Sequence, residues 1–64
     1  MGSNTEWIDI EVIVETELAF KVSNGKNEAW VARSQIIDTE EDLALGVETR
    51  IELPMWFLEK AELV

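Results

Sequence analysis

Trp7-Ile8-Asp9-Ile10-Glu11-Val12-Ile13-Val14-Glu15 is the stretch that decides the fold. Ile8, Ile10, Val12 and Val14 recur at every second position, Asp9, Glu11 and Glu15 take the opposite parity, and only Ile13 breaks the pattern. Successive side chains on a strand point to opposite faces, and β-branched residues suit a pleated, half-buried surface. The stretch therefore predicts a strand with one apolar and one acidic face, with Trp7 on the acidic one.

Beyond it the alternation resumes. Leu18, Phe20 and Val22 form a second apolar series, with Lys21 facing the other way, so Glu15-Thr16-Glu17 is either a bulge or a tight bend between two strands. Asn24-Gly25 supplies the pair that a type I′ hairpin turn prefers, and Glu28 to Arg33 reads as the return strand. Trp30 and Val31 are adjacent on that strand, so one of them points away from the core. Ser34-Gln35 ends the strand, and Ile36 and Ile37 are expected to tuck back onto the core. Thr39 ahead of Glu40, Glu41 and Asp42, with Gly46 downstream, predicts one or two helical turns in which Thr39 caps, Asp42 completes a capping box and Gly46 stops the helix. Val47, Thr49, Ile51 and Leu53 alternate with Glu48, Arg50 and Glu52 as a fourth strand. Pro54 is then placed to open a helix from Met55 to about Leu63, with Trp56, Lys60 and Leu63 on one stripe and Phe57 widening it.

These elements predict an α+β domain: a three- to four-stranded antiparallel curled sheet, an SH3-like partial barrel, with a short acidic helical turn and a C-terminal helix. One domain spans residues 1–64, the first five are expected to be disordered, and Met1-Gly2-Ser3 is set aside as a candidate expression remnant.

Composition narrows the chemistry. Fourteen Asp and Glu face five Lys and Arg, histidine and cysteine are absent, and the net charge is -9. Hydrophobic residues make up 47% of the chain, enough to drive folding despite the charge. Without histidine the commonest general base is missing, and Ser34 has no base to activate it, so no enzymatic activity is expected. Asp38, Glu40, Glu41 and Asp42 are oxygen donors of the type calcium prefers, but they lack the alternate spacing and central glycine of an EF-hand loop, so no metal or other cofactor is expected. Trp7, Trp30 and Arg33 have the chemistry to stack on single-stranded nucleic acid, yet the surrounding charge opposes every phosphate, so no direct nucleic-acid contact is expected. No apolar run approaches the roughly 20 residues that span a bilayer, and a soluble, unsecreted protein without membrane contact is the expectation.

A strongly acidic surface repels nucleic acid and hastens encounter with basic partners. Alternate residues on a strand lie about 6.8 Å apart, so Asp9 and Glu11 present charges at a spacing close to that of successive phosphates. Asp9, Glu11 and Glu15, with Asp38, Glu40, Glu41 and Asp42 beside them and Trp7 as an aromatic anchor, are the candidate partner-binding residues. Together they would occupy the Lys and Arg groups with which a DNA-binding protein neutralises phosphates. The plainer role of such charge is to keep a small domain soluble and monomeric, and a monomer is expected. The alternative function is a small scaffold or assembly protein that pairs with a partner, or with itself, through a strand edge and an exposed tryptophan.

Three segments carry a family resemblance: Glu17-Leu18-Ala19-Phe20-Lys21-Val22, then Ala29-Trp30-Val31-Ala32-Arg33-Ser34-Gln35-Ile36, then Ile51-Glu52-Leu53-Pro54-Met55-Trp56-Phe57-Leu58. They resemble very small acidic proteins of bacteriophages and mobile elements, the anti-CRISPR type among them, over most of residues 7 to 63. Val31-Ala32 stands where those proteins carry a proline after the tryptophan. The resemblance implies a stoichiometric inhibitor that binds a CRISPR effector subunit in the cytoplasm of the infected bacterium and prevents it from engaging target DNA.

Overall fold

The computed structural model describes residues 4–63. Met1-Gly2-Ser3, the candidate remnant, lies outside them. The chain forms strands β1 (Thr5–Glu15), β2 (Ala19–Ser23), β3 (Glu28–Ala32), a short 3-10 turn (Arg33–Gln35), β4 (Asp38–Thr39), β5 (Glu48–Pro54) and a helix α1 (Met55–Lys60). All pairings are antiparallel, in the order β3-β2-β1-β5-β4. The α+β class is as expected. The sheet has five strands rather than three or four, and it is open, with β3 and β4 as its edges.

β1 sits at the centre, so both of its neighbours use its apolar face. Ile10 and Val12 from β1, Phe20 and Val22 from β2, Val31 from β3 and Ile51 and Leu53 from β5 form a continuous core, closed by Leu58 and Leu63. Val31 therefore points inward and Trp30 outward. Thr5 starts β1 opposite Pro54, and the Met55 N–H donates to the Asn4 carbonyl at 2.7 Å. The strand thus begins two residues before Trp7, inside the segment expected to be disordered.

Four local expectations are corrected. The bulge lies at Ile13, where Val12 pairs with Val22 and Val14 with Lys21. One extra residue shifts side-chain parity, so Val14 turns to the exposed face and Glu15 joins Phe20. The second alternative for Glu15-Thr16-Glu17, a tight bend between two strands, does form, at Thr16 to Leu18, fastened by Thr16 N–H to the Ala19 carbonyl at 2.9 Å and Ala19 N–H to Thr16 Oγ1 at 3.0 Å.

The β2–β3 turn is centred on Gly25-Lys26 rather than Asn24-Gly25. Gly25 has φ 96° and is the turn's only positive-φ residue, so glycine takes the first central position as in a type II′ turn. Asn24 serves through its side chain, whose Oδ1 accepts from Lys26 and Asn27 N–H.

No helix forms over residues 39–46. Thr39 pairs with Ile51 in β4, Ile37 N–H donates to the Glu52 carbonyl and Glu40 N–H to the Arg50 carbonyl. A segment this short gains little from helical nucleation, and β5 offers its backbone partners at once. Gly46 does adopt φ 86°, but in a turn whose N–H donates to the Val12 carbonyl. Ile37 stays exposed, whereas Ile36 packs on the core.

The helix ends at Lys60, three residues early, and presents Leu58 rather than Trp56 and Lys60 to the core. Its end is a Schellman motif: Leu63 N–H donates to the Leu58 carbonyl, Glu62 N–H to that of Glu59, and Glu62 takes φ 59°. Asn24 Nδ2 donates to the Leu63 carbonyl and Asn27 Nδ2 to that of Glu62, tying the hairpin to the helix end.

Candidate functional site

The β1–β5 register builds the acidic face. Trp7 lies opposite Glu52, Asp9 opposite Arg50 and Glu11 opposite Glu48, all on the side away from the core. Asp38 of β4 pairs with Glu52 and extends the same face. Beyond β4 the chain bends so that Glu40 Oε2 accepts from Arg50 Nη2. Asp9, Glu11, Glu40, Glu41, Glu48 and Arg50 then line one open groove, with Ser23 to Gly25 at its other end. Counting Asp38 and Glu52 along its continuation, seven carboxylates meet one guanidinium, a formal charge of -6 out of -9.

Glu11 and Glu48 are like charges directly opposed, a pairing that costs a sheet stability. Arg50 partly offsets the repulsion. Its hydrogen bond to Glu40 and the Glu40 charge, with Asp9 behind them, hold its guanidinium pKa above the ordinary arginine value. The groove offers carboxylate oxygens and one cation, Arg50, committed to Glu40. Among the described residues no cluster of potential ligands has the geometry to hold a metal ion.

The expected residues are brought together only in part. Trp7, Asp9, Glu11, Asp38, Glu40 and Glu41 share this side of the molecule, and Trp7 is 40% exposed. Glu15 does not, because the Ile13 bulge turns it over: it pairs with Arg33 at 3.4 Å and accepts from Leu45 N–H. Asp42 lies in a second concavity, beside Phe20, Arg33 and Leu43, which Asp38 lines as well from the end of β4. Arg33 is engaged within the fold, stacked 4.1 Å over the Phe20 ring and donating to the Thr16 carbonyl at 2.8 Å, so it does not join Trp7 and Trp30 in a stacking platform.

Glu48, Arg50 and Glu52 were not among the expected site residues. Their alternation placed them on the polar face of the fourth strand, but local sequence does not state that this strand lies beside β1. The signal that points to them is the match between two strands of equal polarity pattern, one acidic at every second position and the other acidic around a single arginine.

No helix of the described residues is long and apolar enough to cross a membrane. No protein-family model matches this chain, and no curated protein or solved structure shows significant similarity to it.

Proposed function

We propose that this protein is a non-enzymatic, acidic inhibitor that binds the basic, DNA-binding surface of another protein in place of nucleic acid. The observation that carries this reading is the gathering of Asp9, Glu11, Glu40, Glu41 and Glu48 around one groove, with Glu11 held against Glu48 at a cost to the fold. Solubility alone asks for charges of both signs interspersed. A one-sign face suits a partner whose lysines and arginines are arranged for phosphates. The resemblance to anti-CRISPR proteins makes a CRISPR effector subunit in a bacterial cytoplasm the proposed target, and Trp7 at the margin of the face is the proposed apolar anchor.

The test begins with capture of partners from lysate of a bacterium that carries CRISPR systems, followed by association kinetics with the recovered effector. Glu11→Lys combined with Glu41→Lys is expected to slow association more than tenfold at low salt, because steering depends on the local field. Glu15→Lys, on the other face, is expected to change it much less. The parent should also displace a DNA duplex from the effector. Equal rates for the two variants, or an effector that binds this protein and DNA simultaneously, would remove the basis for phosphate imitation.

A further inference from the structure

The two edges of the sheet differ. β4 exposes only two residues, Asp38–Thr39, one of them charged, and short charged edges discourage strand addition. β3 is five residues long, Glu28–Ala32, and has no proline, lysine or bulge. Its register with β2 fixes which backbone groups are free. Asn24 N–H donates to the Asn27 carbonyl and Arg33 N–H to that of Leu18. The hydrogen-bonded pairs between them are therefore Val22 with Ala29 and Phe20 with Val31. Glu28 and Trp30 point both N–H and C=O away from β2, and Ala32 its N–H. Among the described residues no strand covers this edge.

An apolar groove opens where the edge meets α1, lined by Trp30, Ala32, Gln35, Trp56, Phe57 and Lys60. Trp30 is 51% and Trp56 57% exposed. Charge is distributed in favour of contact here. Lys21, Lys26, Arg33 and Lys60 all lie on β2, the hairpin, the 3-10 turn or α1, and Arg50 is the one cation that lines the acidic groove. The edge is therefore the side on which two copies of a -9 chain repel each other least.

We propose that a second copy of this chain adds here, β3 to β3, antiparallel about a two-fold axis through Trp30. Trp30 then faces the partner's Trp30, and each exchanges N–H and C=O with the other. Ala32 N–H donates to the carbonyl of the partner's Glu28. The carboxylate of the partner's Glu28, exposed and 3.5 Å from Lys21 of its own chain, comes opposite Ala32 and so beside Lys60, which it reaches while keeping Lys21 as a neighbour, and symmetry forms the same contact twice, as an isologous interface requires. This match between Glu28 and Lys60 favours a second copy over a foreign extended peptide, which would use the same edge without it. No residue of β3 or α1 lines the acidic groove, which stays open in both copies, so the proposal does not depend on what the groove binds.

Sedimentation equilibrium of the full chain from micromolar to millimolar concentration, at physiological salt, tests it. The mass is expected to rise from 7.3 kDa toward twice that value. Ala32→Pro is the edge-blocking variant: Ala32 has φ -64° and ψ 143°, compatible with proline, and its N–H serves no partner in β2. It should raise the dissociation constant at least tenfold while circular dichroism stays that of the parent. Glu28→Lys and Lys60→Glu should each weaken pairing, and the double exchange should restore it. A mass that stays monomeric throughout, pairing that survives Ala32→Pro, or single charge variants that the double exchange does not rescue would each overturn the proposal.

Discussion

Neutralising Glu48 should make this protein more stable, the reverse of what most substitutions do. Glu48 lies directly across from Glu11, and paired Cβ atoms in such a ladder are about 5 Å apart. Two carboxylates about 6 Å apart in water repel by about 0.7 kcal/mol. Glu40 and Glu41 in the same groove add to it, and Arg50 takes some away. Glu48→Gln keeps the side-chain shape and should gain about 0.5 kcal/mol, a rise in Tm of about 2 to 4 °C for a domain of this size. The gain should depend on salt. At 1 M the screening length falls to about 3 Å, so most of the repulsion, and most of the gain, disappears. Urea unfolding of parent and variant at low salt and at 1 M salt measures both quantities. Glu17→Gln, in the exposed β1–β2 bend, lowers the net charge equally without a facing partner and should gain less. If Glu48→Gln gains nothing at low salt, gains as much at 1 M, or only equals Glu17→Gln, the opposed carboxylates are not a local cost.

Two further predictions concern the helix. Glu62 holds φ 59° at the position after the helix where glycine is usual, and a left-handed conformation costs an L-residue roughly 1 to 2 kcal/mol. After the entropy that glycine adds to the unfolded chain, Glu62→Gly should still gain about 0.5 to 1 kcal/mol in thermal unfolding; Glu62→Ala, which removes the charge but keeps the strain, should gain less, and the reverse order would contradict the motif. Leu58 is the one helix residue fully buried against the sheet, so Leu58→Ala should cost about 2 to 5 kcal/mol. That is a large share of the stability a domain of this length holds, roughly 3 to 10 kcal/mol, and the variant should show lost cooperativity in the same unfolding experiment.

Much of the fold was legible because the alternation is strong. Ile8, Ile10 and Val12, then Phe20 and Val22, then Ile51 and Leu53 declared their inward faces by period alone, and all except the half-buried Ile8 are fully in the core. The failures fall where two local signals competed or where the deciding partner was distant. Ile13 was visible as an interruption, but a bulge is placed by the partner strand, and only the pairing of Val14 with Lys21 shows that parity changes there rather than at Thr16. The acidic segment carried a plausible capping pattern, yet backbone bonds to Glu52 and Arg50 outweighed it. Trp56 and Lys60 share a stripe with Leu63 by period, yet only Leu63 of the three is buried, because helical period gives relative positions and not the absolute rotation, which the packing of Leu58 and Leu63 sets.

The candidate site divides along the same line. Sequence by itself determined that the chain is acidic, that Trp7, Asp9 and Glu11 share a strand face, and that it lacks the histidine and cysteine on which much catalysis depends, because these follow from composition and a two-residue period. Tertiary structure alone decided that β1 lies between β2 and β5. That neighbour relation puts Glu48 and Arg50 across from Glu11 and Asp9 and brings Glu40 and Glu41 to the same groove, the Ile13 bulge against β2 turns Glu15 away, and among the described residues no strand covers the outer edge of β3. The physical reason is that charge and period are properties of the residues in order, whereas strand order is settled by which apolar faces bury one another across tens of residues of intervening chain.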